Sequence, residues 1–505
     1  MSADSLQGVS AFARTKFPCV SQKFKKTIRS VGVYTFSPSD YVQPRGDALR
    51  RFLGMVFGLL SCASAAEAAC TGSGLAWNCT AGSTVTQVQS VVSSAADKAT
   101  ITFDAGAYTW TSGSINLGNR NGVTLACATV RGCAVSFGGA GVFTLDSIPT
   151  PLTELIRISG FVFTGAPGSA AIWLFGASNL EKLRVDNNTF SGFPTDSIAI
   201  LLGEVTAAGS IRGVIDHNIF TGPTNFIGVK SISGDTWLTG LQGTAQNLFI
   251  EDNTFNFSDN VNLGTGAIDA WRATGVGFRY NTLTNTRYVN HSLCHGGPAN
   301  AEVYGNTIAS PTPSSSPNYR NIHFQGSGEI IVFNNTVGAA STGHIAIQHF
   351  RSDASQMPQG QCTAALVCDG SQNGLGTVTS PQDGNRTPLA TYRGYPCWHQ
   401  PGRNADATLR PVYLWNNKNP GGTQVHVSRE SNGDIDKHFQ MNRDYYEANS
   451  VTAQTSPTAP FDGTSGVGFG TLANRPVTCA TGSETLDEGN GGVGYFATDV
   501  GPQGT

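Results

Sequence analysis

The sequence predicts an all-β fold, a right-handed parallel β-helix built as a three-sheet solenoid with an asparagine ladder at one corner. Three observations predict it. One six-residue pattern recurs six times with an Asn in a fixed place. Apolar and polar residues alternate on either side of that Asn. The composition is rich in turn formers and poor in charge: 61 of 505 residues are Gly, and Asp, Glu, Lys and Arg together make up 13%, against a usual ~25%. No run of 18 or more apolar residues occurs, which excludes a polytopic membrane protein. A formal net charge of −3 excludes a generally basic nucleic-acid binder.

Taken in chain order, residues 1–49 are basic without an amphipathic period and read as a non-native or unstructured extension. Residues 50–68 read as a signal peptide. Arg50-Arg51 precede an apolar run over residues 52–60, then small residues and the cleavage pattern Ala66-Glu67-Ala68. A secreted protein is expected, extracellular or periplasmic. Cysteine usage agrees, because Cys70/Cys79, Cys127/Cys133 and Cys362/Cys368 are close pairs suited to small disulfide loops. Cys294, Cys397 and Cys479 leave the count odd, and with the Gly-Pro-Gln-Gly-Thr end they suggest a truncated chain.

Residues 69–360 are expected to form the coils. The first complete repeat is Val185-Asp186-Asn187-Asn188-Thr189-Phe190, and the others fill 215–220, 250–255, 278–283, 303–308 and 332–337. Their aligned Asn188, Asn218, Asn253, Asn281, Asn306 and Asn335 stand 30, 35, 28, 25 and 29 residues apart. A degenerate copy at 158–165 has Phe161 in place of the Asn. Before each Asn, pairs such as Leu183/Val185 and Leu248/Ile250 alternate with polar residues, so each repeat is a strand, a tight turn and a second strand. Asn tolerates a left-handed turn, and its amide can bond the next Asn of a stack. A unit just under 30 residues suits a coil of three short strands stacked in parallel. An antiparallel sandwich gives no reason to hold one Asn in register six times. Residues 361–505 are expected to be C-terminal loops and a cap.

This pattern resembles right-handed parallel β-helix proteins of the pectate-lyase-like class, including their asparagine ladder, over roughly residues 95–355. In that class the sheet after the third turn lines the substrate groove. Apolar pairs place its strands here, with one outward column of Trp173, Ala199, Gly228, Asp269, Asn290, His323 and Ala346. The next column is Phe175, Leu201, Lys230, Trp271, Ser292, Gln325 and Gln348. Arg272, His291, His295, Arg320, His344 and Arg351 fall at strand ends or adjacent turns.

The resemblance implies a polysaccharide lyase cleaving a uronate-containing polymer, pectate- or alginate-like, by β-elimination. Such an enzyme neutralises the uronate carboxylate, removes the C5 proton and protonates the leaving oxygen. Lys230 or His323 is the candidate base, and Arg272, Arg320 and Arg351 are candidate carboxylate clamps. Trp271, Asn290, Gln325, His344 and Gln348 are candidate substrate-binding groups. Asp269, with Glu204 and Asp235, is a candidate Ca²⁺ ligand. A hydrolase needs two carboxyl groups across the scissile bond, and no Asp-Asp pair occurs in the chain. The R-x-P-x-x-R signature of pectate lyases is also absent. A glycoside hydrolase on the same fold and a non-catalytic glycan-binding or adhesin β-helix are the alternatives. The expected partner is an acidic polysaccharide, with no nucleic acid, no membrane span and a monomeric state. From residue 69 onward the chain carries 22 basic and 30 acidic side chains, a net −8. A lyase for a polyanion must therefore overcome long-range repulsion with Ca²⁺ or a local basic cleft.

Overall fold

Coils begin where a short hairpin and one helix close off the core. The computed structural model describes residues 69–349 apart from short loop segments, then 401–402, 410–431, 439, 441, 444–448, 452–453, 455–457, 466–476 and 493–497. Cys70–Ser73 and Ala76–Cys79 pair antiparallel, tied by the Cys70–Cys79 disulfide. The helix Val85–Ser94 follows and turns Val88, Val91 and Val92 inward. Its start is a reciprocal capping box: Gln87 N–H donates to the Thr84 hydroxyl, and the Thr84 N–H donates to Gln87 Oε1. The helix packs on strands Cys70–Ser73 and Ile115–Asn116.

From Ala99–Phe103 to Ile345–His349 every strand pairing is parallel, and neighbours within a sheet are one coil apart in sequence. Three sheets of thirteen, nine and ten strands result, the first including the antiparallel hairpin. Thr452–Ala453, Gly466–Gly470 and Val493–Ala497 form a further three-stranded parallel sheet. This is the expected parallel β-helix. A coil such as Leu180–Asp186, Thr189–Ser191, Ile198–Gly203 contributes one strand to each long sheet.

The corner between the first two sheets differs in one detail from the sequence reading. The ladder Asn is not the left-handed residue. That role falls to the residue before it: Asn187, His217, Asp252, Tyr280 and Asn334 have φ between 52° and 58°. The ladder Asn itself is buried, and its side chain does the bonding. Asn253 Nδ2 donates to Ile215 O (2.8 Å), Glu251 O (2.8 Å) and Asn281 Oδ1 (3.1 Å), while its own Oδ1 accepts from Asn218 N (2.9 Å). The ladder also runs one step further, since Asn335 Nδ2 donates to Asn417 Oδ1 at 2.9 Å. Val412–Trp415 pairs with Glu329–Phe333, so the coils continue beyond the boundary expected at residue 360.

Inside, aliphatic side chains and a column of rings fill the solenoid. Phe163, Phe190, Phe220 and Phe255 stack face to face at 5.2, 4.9 and 4.6 Å between centroids. Outside the first sheet, Arg157 clamps Asp186 (2.7 and 2.6 Å) and Arg184 clamps Asp216 (3.1 and 2.9 Å) one coil later. The second expected disulfide, Cys127–Cys133, is also present. No helix among the described residues is long and apolar enough to cross a membrane. The extension 1–49, the signal segment 50–68 and Cys294, Cys362, Cys368, Cys397 and Cys479 lie outside the described residues.

Candidate functional site

Parallel pairing fixes which side chains stand beside one another on the ten-stranded sheet. One row runs Trp173, Leu201, Lys230, Asp269, Val289, His323, Ala346. Residues on either side of that row, such as Leu174, Leu202, Phe324 and Ile347, are buried in the core, so this row faces outward. Gly203, Ile232 and Trp271 occupy the next outward row on the early coils, and Gln325 and Gln348 occupy it on the later ones.

This register corrects both expected columns. Lys230 lies directly beside Asp269, not one position away from it. Asn290 is not outward. It pairs with Ala270 and Phe324, its exposure is 0%, and Val289 takes the outward place instead. The physical reason is parity: in a strand a one-residue shift sends each side chain to the other face. Tyr288 and Asn290 point inward although Val289 is the most apolar of the three.

Two polar groups result. In the first, Lys230 Nζ stands 3.4 Å from Asp269 Oδ2 and 4.1 Å from the centre of the Trp271 ring. Trp271 Nε1 donates to Asp269 Oδ1 at 2.6 Å, closing a triangle of ion pair, cation–π contact and hydrogen bond. Asp269 is 1% exposed, so its charge depends on these partners. In the second, His323 is held between two amides. Its Nε2 lies 2.8 Å from Gln348 Oε1 and its Nδ1 lies 3.2 Å from Gln325 Nε2. A carbonyl oxygen only accepts and an amide NH₂ only donates, so with the amides so oriented Nε2 donates to Gln348 and Nδ1 accepts from Gln325. Val289 separates Asp269 from His323, which places the two groups roughly 10 Å apart by strand spacing.

The remaining expected residues distribute as follows. Arg320 lies two residues before the start of the Ile322–Gln325 strand and is 7% exposed. His344 sits in the turn before Ile345–His349, where its Nδ1 bonds Gly338 O at 2.7 Å, so this nitrogen serves the turn. Arg272 ends the Ile268–Arg272 strand opposite Ser233. Arg351, Glu204, Asp235, His291 and His295 lie outside the described residues. Sequence reading missed Arg287, which is 1% exposed and two residues before Val289 on the same outward parity. Correct parity for Val289 is the signal that would have found it. Burial pushes the Tyr288 hydroxyl pKa well up, so that phenol stays protonated inside the coil.

Calcium takes six to eight oxygen ligands. Both oxygens of Asp269 already meet Trp271 and Lys230, and the described residues contain no group of three or more His, Cys, Asp and Glu able to hold a metal. Glu204 and Asp235, the other expected calcium ligands, lie outside the described residues.

No family model and no curated protein matches the chain. Among solved structures it is similar to one described as a new PL6 alginate lyase complex with trisaccharide, at 13% identity, over 82% of this chain and 81% of that one, with a TM-score of 0.36.

Proposed function

We propose that this protein is an exported polysaccharide lyase acting on a uronate-containing polymer by β-elimination. The reading rests on one observation: an ammonium paired with Asp269 and the His323 imidazole share one outer row of one sheet, with a single strand between them. In the reaction, the Lys230 ammonium meets the uronate carboxylate and draws off charge that develops as C5 loses its proton. His323 takes that proton on Nδ1 once the substrate displaces the Gln325 amide. The electron pair of the C5–H bond becomes the C4–C5 double bond, and the C4–O4 bond breaks. The leaving oxygen takes a proton from water, and His323 returns its own to solvent. The Trp271 ring supplies an apolar face for a sugar, and Gln348 supplies an amide for its hydroxyls. Because His323 is 2% exposed, entry of the polymer must uncover it.

A hydrolase would need a second carboxyl group facing Asp269 across the groove, and Lys230 holds Asp269 instead. Export is supported by the two disulfides. The test is incubation with pectate, alginate and glycosaminoglycans, each with added Ca²⁺ and with a chelator. Ultraviolet absorbance of an unsaturated uronate product is expected. New reducing ends without that absorbance would identify a hydrolase, and binding without cleavage a glycan-binding protein; either defeats the lyase reading. N-terminal sequencing of secreted protein should begin at Ala69.

A further inference from the structure

We propose that the outer face of the nine-stranded sheet is an ice-binding surface, a function separate from the lyase reading and independent of it. Two outward rows define it. One carries Thr254, Thr282, Thr307 and Thr336 on successive coils. The other carries Thr221, Asn256 and Thr284, with Asn256 and Thr284 two residues further along their strands. Thr284 is half-buried and the rest are exposed. Among the described residues no partner within the chain takes up their hydroxyls or amide, so these groups face solvent. Parallel strands stand about 4.8 Å apart, and two residues span about 6.6 Å along each. The polar groups therefore form a rectangular grid whose two repeats lie close to those of oxygen rows on a prism face of ice. The grid is held in register from beneath. Phe190, Phe220 and Phe255, inward residues of the same strands, stack with 7° and 6° between ring planes, so successive coils repeat with little twist. Each of the four row threonines also donates its backbone N–H to the ladder Asn of the coil before, at 2.8–2.9 Å.

The occupant follows from charge and from side-chain type. The nine strands contain no Asp, Glu, Lys, Arg or His. The outer faces of the other two long sheets carry the Arg157–Asp186 and Lys230–Asp269 pairs instead. Charge returns at Lys418, which bridges to Thr336 at the end of the row. A polyanion, a mineral or a charged membrane finds no counter-charge on this face, so its complement is uncharged. Every Phe, Tyr and Trp of these strands is buried, which leaves no ring for a sugar or a protein partner to stack on. What the face offers is threonine, a hydroxyl and a methyl on a side chain with restricted χ1. The hydroxyls can take lattice positions, and the methyls can fill the space between them. One hydroxyl bond to water gains little, but a grid makes many at once. Ice is already ordered and so is the face, so docking gives up little conformational entropy.

The test uses the full chain, fluorescently labelled, and reads its incorporation into a slowly growing hemisphere of ice. Wild type should enter the ice. Thr282→Tyr, an exposed change within the grid, should lower incorporation tenfold or more with unchanged β circular dichroism. Thr100→Tyr makes the same change at an exposed strand position of the first sheet and should leave incorporation as in wild type. If Thr282→Tyr does not fold, Thr307→Lys is read in the same way. Exclusion of wild type from ice, or undiminished incorporation of a folded grid variant, would overturn the proposal. Wild type that binds microcrystalline cellulose and is excluded from ice would assign the face to a glycan lattice. A dimer in light scattering that Thr282→Tyr dissolves would assign it to a second copy of the chain, and either result overturns ice binding. Release of unsaturated uronate, or its absence, bears on the lyase reading alone.

Discussion

Asp269 shows how much a single buried charge constrains its neighbours. Removing one partner of a buried pair typically costs about 3–5 kcal/mol, because the other charge is left uncompensated. Lys230 is partly exposed, with 17% of its side chain accessible, so Lys230→Met should cost less, about 2–3 kcal/mol. The double variant Lys230→Met with Asp269→Asn should recover most of that loss in a urea melt, since no orphaned charge remains. It should not recover turnover, because no cation is left to meet a uronate carboxylate. A double variant as unstable as the single one would show that Lys230 acts through packing on Trp271 instead. At this scale the sequence was only partly legible. The residue types of the site were visible, but Lys230 and Asp269 stood in different expected columns. Asn290 stood on the wrong face.

That failure belongs to the element. Strand Ile227–Ser233 is seven residues long, and its apolar residues Ile227, Val229 and Ile232 do not keep one parity. Only pairing with Ile268–Arg272 selects the register that brings Lys230 to Asp269. The asparagine corner was legible because its reason is local. Each ladder amide satisfies backbone groups of its own turn and the next coil, so the same residue is required every time. Asn253→Ala strips partners from several buried groups at about 1–3 kcal/mol each. A loss of about 3 kcal/mol or more, measured by urea unfolding, is expected. The loss of the helix cap in Thr84→Ala should cost only about 1 kcal/mol.

The outer Arg–Asp ladder predicts an acid response. Burial of Asp186 opposes its ionisation, and hydrogen bonds from Arg157, Asn187 and Ser159 overcome that, holding the carboxyl below its usual range. The unfolded chain therefore takes up this proton first, near the ordinary Asp value of roughly 3.9. Its contribution is complete above that pH and is lost as the pH falls through the folded value. Stability curves of wild type and Asp186→Asn, measured from pH 6 to 2, should converge toward the acid end. Parallel curves would remove Asp186 from the account.

For the whole molecule, charge and topology set the remaining behaviour. The net −8 from residue 69 onward repels a polyuronate at long range, while the Lys230 contact is short-ranged. Salt shortens the Debye length to about 10 Å at 0.1 M and screens the repulsion first. KM for an anionic polymer should therefore fall as salt rises from very low values. A KM that rises from the outset would mean that a basic cleft dominates the approach. Circular dichroism should be β-dominated, with a small helical part from Val85–Ser94.

By itself the sequence determined the coil, the corner that repeats, two disulfides and the residue types of one face, because each depends on contacts within a coil or with the next one. Val85–Ser94 was also within reach, through the capping box that opens it. Tertiary structure alone decided three things. It set the register that joins Lys230 to Asp269, it turned Asn290 inward, and it added a coil through Val412–Trp415 after 82 residues of sequence separate Asn335 from Asn417. Strand parity and pairing are settled by what lies across the sheet, and a single chain does not state which of its distant segments that will be.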